Sequence, residues 1–121
     1  MSSENLHENP ETLGAEVIDQ HRAIVSVIEE LEAVDWYNQR ARATVDDELR
    51  GILEHNRDEE KEHMAMVLEW LRRHDATLDK NLKQYLFTTG PVLKIEAATA
   101  TGTGPGSGDL GVGDLREEVT K

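Results

Sequence analysis

The stretch Asp58-Glu59-Glu60-Lys61-Glu62-His63 decides how the fold is read, because two of its residues lie on a face meant for apolar side chains. Advancing about 100° per residue from Leu49, Leu53 falls at about +40°, Asn56 at about −20°, Glu60 at about +20°, His63 at about −40°, Val67 at about 0° and Leu71 at about +40°. Glu60 and His63 stand one helical turn apart, in the middle of the stripe that should face a core. Ionisable groups placed there require a charged partner, a hydrogen bond or a metal ion.

Working outward, Thr44 or Asp46 can cap this helix, and Asp47 and Glu48 in its first turn suit the dipole. Arg72-Arg73-His74 favours its C-terminus. Before it, Asn9-Pro10-Glu11 reads as the start of another helix, with Asn as the cap and Pro in the first turn. That helix runs to about Arg42, and the only glycine within it is Gly14. A connection of a few residues forces the two helices into an antiparallel hairpin. Beyond them, Asp75 can cap a shorter helix through about Phe87. Gly90-Pro91 breaks it, and residues 92–98 form one more short turn of helix.

Helix 1 is apolar on three sides. Leu13, Val17, Ile24, Ile28 and Leu31 fall within about 40° of one another's mean and read as the core stripe; Ala23, Val27 and Val34 cluster about 100° to one side, and Ile18, Val25 and Trp36 about 90° to the other. One hairpin partner covers one of these faces, so the others predict subunit interfaces.

Glu30 borders the second set. It lies about 14 residues before the 43–44 turn and Glu60 about 16 after it, so the two carboxylates are level across the hairpin. One Glu on the first helix and Glu-x-x-His on the second make half the ligand set of a ferritin-like di-iron protein, which needs two of each. A twofold-related second hairpin would bring together two Glu30, two Glu60 and two His63. The expected fold is therefore all-α: an antiparallel two-helix hairpin plus a short C-terminal helix, its ferritin-like four-helix bundle completed by dimerisation. Oxygen and nitrogen ligands suit iron or manganese. His55-x-x-x-Glu59 is a rival pattern, of a haemerythrin-like site, without the further histidines such a site needs. Glu29 and Glu32, at i and i+3 beside Trp36, are candidates for receiving incoming ferrous ions.

Composition narrows the class. The chain has 121 residues, no cysteine and a net charge of −12, which excludes disulfides and thiolate metal sites and disfavours nucleic acid. That acidity suits attraction of cations. No apolar run approaches the roughly 18 residues of a membrane span, and a polar, acidic start is unlike a signal peptide, so a cytoplasmic protein is expected. A folded part of about 85 to 90 residues buries only some 60–65% of its unfolded surface, so oligomerisation helps it. Residues 1–9 read as a disordered start, 10–98 as the helical domain, and 99–109, rich in Thr, Gly, Pro and Ser, as a flexible linker. A small apolar cluster follows in the tail at 110–121.

His21-Arg22-Ala23-Ile24-Val25-Ser26-Val27, Glu29-Glu30-Leu31-Glu32-Ala33-Val34-Asp35-Trp36-Tyr37, His55-Asn56-Arg57-Asp58-Glu59-Glu60-Lys61-Glu62-His63, Leu68-Glu69-Trp70-Leu71-Arg72-Arg73 and Tyr85-Leu86-Phe87-Thr88 closely resemble the encapsulated ferritin family. The resemblance implies a ferroxidase that turns Fe(II) to Fe(III), with O₂ as oxidant, assembled as dimers into a ring-shaped decamer. It implies iron ligation by Glu30, Glu60 and His63 at the dimer interface, with two irons per dimer and Tyr37 against the site. Glu29, Glu32 and Trp36 would form a second metal site on the entry route. Leu110-Gly111-Val112-Gly113-Asp114-Leu115-Arg116 is similar to the peptide that docks cargo inside an encapsulin shell, which would place the protein inside a nanocompartment and leave mineral storage to the shell. Two other functions compete: a non-enzymatic acidic helical cargo or interaction protein, and a di-iron oxygen carrier or sensor.

Overall fold

The computed structural model describes residues 5–100. They form four helices, α1 (Pro10–Ala43), α2 (Asp47–Arg73), α3 (Ala76–Tyr85) and α4 (Val92–Ala100), with no strand among the described residues. No described helix is long and apolar enough to cross a membrane.

The N-terminus of α1 follows its sequence: Asn9 Oδ1 accepts the Glu11 N–H at 2.8 Å, and Pro10 occupies the first turn. One turn later the helix is interrupted, because Gly14 adopts φ 81°, ψ 166°. Only glycine reaches that conformation cheaply. A Cβ at Gly14 would meet nothing within 4 Å, so the demand is conformational. The break takes Leu13 out of phase with the residues that follow, so its expected place in the stripe rests on an ideal helix that the chain does not form.

The connection between α1 and α2 is held by Arg50. Its Nε donates to the Ala41 carbonyl at 3.1 Å, and its terminal nitrogens reach the Thr44 carbonyl and, at 2.8 Å, Asp47 Oδ1. Of the two candidate caps it is Asp46 that serves, its Oδ1 accepting the Leu49 N–H at 2.8 Å, while Thr44 Oγ1 accepts the Asp46 N–H at 3.2 Å. Asp46→Ala should lower stability by about 1 kcal/mol, read as a fall in the urea midpoint at unchanged slope. At the other end of α2, Glu69 accepts from Arg72 at 2.7 and 2.8 Å and from Arg73 at 2.7 Å. These guanidinium bonds hold its carboxyl down at about 2.

The hairpin packs on a different face of α1 from the one expected. Its cross-links include Gln20 Nε2 to the His74 carbonyl at 2.9 Å and Arg57 to Asn38 Oδ1 at 3.1 Å, and Ala41 of α1 is buried, as is Leu71 of α2. On the angular scale set by Val17, Gln20 and Asn38 stand at about −60° and Ala41 at about −120°. This is the side of Ala23, Val27 and Val34, which are all half-buried. The stripe of Val17, Ile24 and Leu31 is not the intrachain core: Ile24 is 49% exposed and the other two nearly as much. The physical reason is that a partner covers one face only. α2 lies along the side where the small Ala23 and Ala41 let the backbones approach.

On α2, Ile52 is 52% exposed, and Leu49 and Met66 are similarly open. These two open apolar sets lie on opposite sides of the hairpin. On α1 the Val17 stripe lies on the Asn38 side of the packing line. Ile52 and Met66, at about −60° and −100° on the α2 scale, lie beyond His63, on the flank away from Arg57 at about +80°.

Among the described residues, 75–100 form a compact unit of their own. Asp75 caps α3, its Oδ1 accepting the Leu78 N–H at 2.9 Å. The helix stops at Tyr85, a little short of the expected Phe87, whose φ of 63° cannot continue it. After Gly90-Pro91, α4 continues to Ala100, two residues beyond the expected turn, and Gln84 Nε2 donates to Thr99 Oγ1 at 2.8 Å to tie the pair. The expected tail lies outside the described residues.

Candidate metal centre

Midway along the hairpin, Glu30 from α1 and Glu60 and His63 from α2 converge. One ligand atom from each lies within 4.8 Å of the others, and no other such group of three occurs among the described residues. His63 Nδ1 is 3.3 Å from Glu60 Oε1 and 3.8 Å from Glu30 Oε1. The register explains the convergence: Glu60 and His63 are one turn apart on α2, and Glu30 sits at the same height across the packing line.

Two donors at about 2.1 Å from one ion, at right angles, stand about 3 Å apart, so this spacing fits a small divalent cation after minor side-chain adjustment. The donors are carboxylate oxygens and an imidazole nitrogen, a set suited to iron, manganese or zinc. Three protein ligands leave coordination positions to be filled.

The electrostatics are those of a site short of positive charge. The Glu30 carboxyl is pushed above the usual range, first by its hydrogen bond with Glu60, then by burial and by repulsion from Glu60. Glu60 is held below the usual range by that same hydrogen bond and by the one with His63. As pH falls, Glu30 therefore takes up a proton before Glu60 does. The cluster is not sealed: the side chains of Glu30 and Glu60 are 26% and 24% exposed and that of His63 43%. On the helical projection, His63 lies beside the flank that carries Ile52 and Met66.

The remaining candidates are more dispersed. Tyr37 is half-buried two turns beyond Glu30, and the Arg40 guanidinium lies 5.8 Å from its ring centroid. Glu29, Glu32 and Trp36 are exposed, Trp36 lining an open cleft with Gln39 and Arg40. Glu59 lies nearer the centre than the His55-x-x-x-Glu59 spacing suggests. Glu59 Oε1 lies 4.0 Å from His63 Nε2, whereas the spacing alone had paired Glu59 with His55. The i, i+4 relation of Glu59 to His63 was the available signal.

Comparison with known proteins adds the evolutionary setting. A family model described as EncFtn-like matches residues 5–89. The chain is 55% identical to "Encapsulated ferritin-like protein" of Rhodospirillum rubrum, over 98% of this chain and 92% of the relative. It is 48% identical to "Ferritin-like protein" of Thermotoga maritima, over 93% of this chain and 99% of that one. Among solved structures, protein ne0167 from Nitrosomonas europaea is 60% identical, with a TM-score of 0.70, and the match covers 72% of this chain and 96% of that one.

Proposed function

The chain belongs to the EncFtn-like family, and from that premise we propose that it is a ferroxidase, oxidising Fe(II) with O₂ at a di-iron centre shared by two subunits. The observation that carries this reading is the convergence of Glu30, Glu60 and His63 on an open flank. A twofold axis through that flank doubles the set to four carboxylates and two imidazoles. Their charge of −4 balances two ferrous ions, so metal binding and dimerisation reinforce each other.

Fe(II) is the substrate. Glu60 would bridge the two irons, with Glu30 and His63 as terminal ligands; Tyr37 would limit solvent access beside Glu30. Anionic oxygen ligands favour the more highly charged ferric product, which makes electron loss to O₂ easier. The charge of −12 raises the local concentration of cations, and Glu29, Glu32 and Trp36 form the route by which Fe(II) arrives.

Two open apolar sets on opposite sides of one hairpin support two different twofold interfaces, and alternating them closes a ring. The reading takes that ring to be a decamer. The partner is an encapsulin shell in the cytoplasm, reached through residues 110–116 and supplied with ferric iron for storage. The name of the Rhodospirillum relative supports this part.

An aerobic Fe(II) assay with a ferric chelator tests the activity. A ferroxidase consumes O₂ irreversibly and releases chelatable Fe(III). A reversible oxygen adduct would instead indicate a carrier, and absence of stoichiometric iron an interaction protein. Truncation after residue 101 should leave oxidation rates unchanged and abolish loading into co-expressed shells; loading that survives the truncation would remove the role assigned to the tail.

A further inference from the structure

The centre holds its imidazole in one orientation. Nδ1 of His63 faces both carboxylates, at 3.3 and 3.8 Å, while Nε2 points away from them toward Glu59 Oε1, at 4.0 Å. Glu59 precedes His63 by four residues, so a rigid helical backbone sets this relation. The Glu59 side chain is 51% exposed, and its outer torsions are free to close the remaining distance. A metal-bound imidazole needs its other nitrogen protonated and that N–H held by an acceptor, which fixes the ring plane and makes the ligating nitrogen more basic.

We propose that Glu59 is a positioning residue: His63 ligates through Nδ1, and Glu59 accepts the Nε2–H and holds the ring in the plane that aims Nδ1 at the ion. This rests on the reading of Glu30, Glu60 and His63 as a metal centre. It also gives Glu59 a task within that centre, with no need for the His55-x-x-x-Glu59 pattern. Glu59 differs from Glu60 in acting through the imidazole, with no direct bond to iron.

Zn(II), which binds without redox chemistry, is the probe, and the full-length protein is used throughout. Affinity is read by competition with a chromophoric chelator for wild type, Glu59→Ala, Glu59→Gln and His63→Ala. Glu59→Ala should weaken Zn(II) binding by about 10- to 100-fold. Glu59→Gln keeps an oxygen that can accept the Nε2–H, so it should retain most of the affinity although it loses the same charge. A loss below about tenfold in Glu59→Ala, or a Glu59→Gln protein as weak as Glu59→Ala, overturns the assignment; the second result would mean that only distant charge acts. A crystal structure of the Zn(II)-loaded wild type supplies a readout independent of affinity. It should show Zn(II) on Nδ1 and Nε2 within about 3.2 Å of a Glu59 oxygen; Zn(II) on Nε2 contradicts it. His63→Ala separates the two levels. Wild-type affinity in that variant refutes the metal centre itself, whereas weak binding in His63→Ala beside normal binding in Glu59→Ala refutes only the role of Glu59.

Discussion

Glu60→Ala should reduce iron-dependent O₂ consumption to the rate of free Fe(II) in buffer, and iron should no longer shift the assembly state of that variant. Glu60 hydrogen-bonds both other members of the cluster and is the most enclosed of the three. In a twofold assembly its loss removes two of four carboxylates and the group proposed to span the irons. Alanine is a strong helix former, so α2 should persist, and far-ultraviolet circular dichroism checks this. Loss of oxidation with unchanged helicity is the expected outcome. Turnover at the wild-type rate would mean that the oxidation site lies elsewhere.

A pair of surface substitutions should separate the two interfaces. Ile52 and Ile24 are both about half exposed, and on the helical projection Ile52 lies on the flank beside His63 and Ile24 on the opposite one. Burying one such side chain contributes about 1.5–3 kcal/mol, and a twofold interface contains it twice. The loss of about 3–6 kcal/mol weakens association by a factor on the order of 10² to 10⁴. Ile52→Asp should therefore yield species that neither oxidise Fe(II) nor gain mass when it is added. Ile24→Asp should stop assembly at a dimer that still oxidises Fe(II). Analytical ultracentrifugation with parallel O₂ uptake reads both. If Ile24→Asp abolished oxidation while Ile52→Asp did not, the metal centre would have been assigned to the wrong flank.

Much of this arrangement is legible in the sequence. Asp75 announces its helix, and Asp46 is one of two candidates before α2, because a short acidic side chain before an amphipathic run satisfies otherwise orphaned N–H groups. Glu60 and His63 stood out because the apolar periodicity around them is strict, and their register with Glu30 follows from helical rise alone. The working face of α1 was harder to read. Three apolar stripes compete, and the largest, through Val17, Ile24 and Leu31, is the one left open within the chain. Side-chain volume favoured that stripe, whereas the packing of the hairpin favoured the small Ala23 and Ala41. Gly14 was visible as a residue and not as a break, since glycine is tolerated in helices and nothing local forces the positive φ. Glu59 was obscured by its neighbours: with acids at 58, 59, 60 and 62, spacing alone could not tell which one turns toward His63.

The central claim is that one chain holds half of a redox centre, and native mass spectrometry after anaerobic addition of Fe(II) tests it most directly. The expected result is iron bound in pairs, two ions for every two chains, with iron-free chains shifting to dimers or larger even-numbered species as the metal is added. An isolated single chain that carries its full complement of iron, or an assembly whose mass is indifferent to iron, would contradict it.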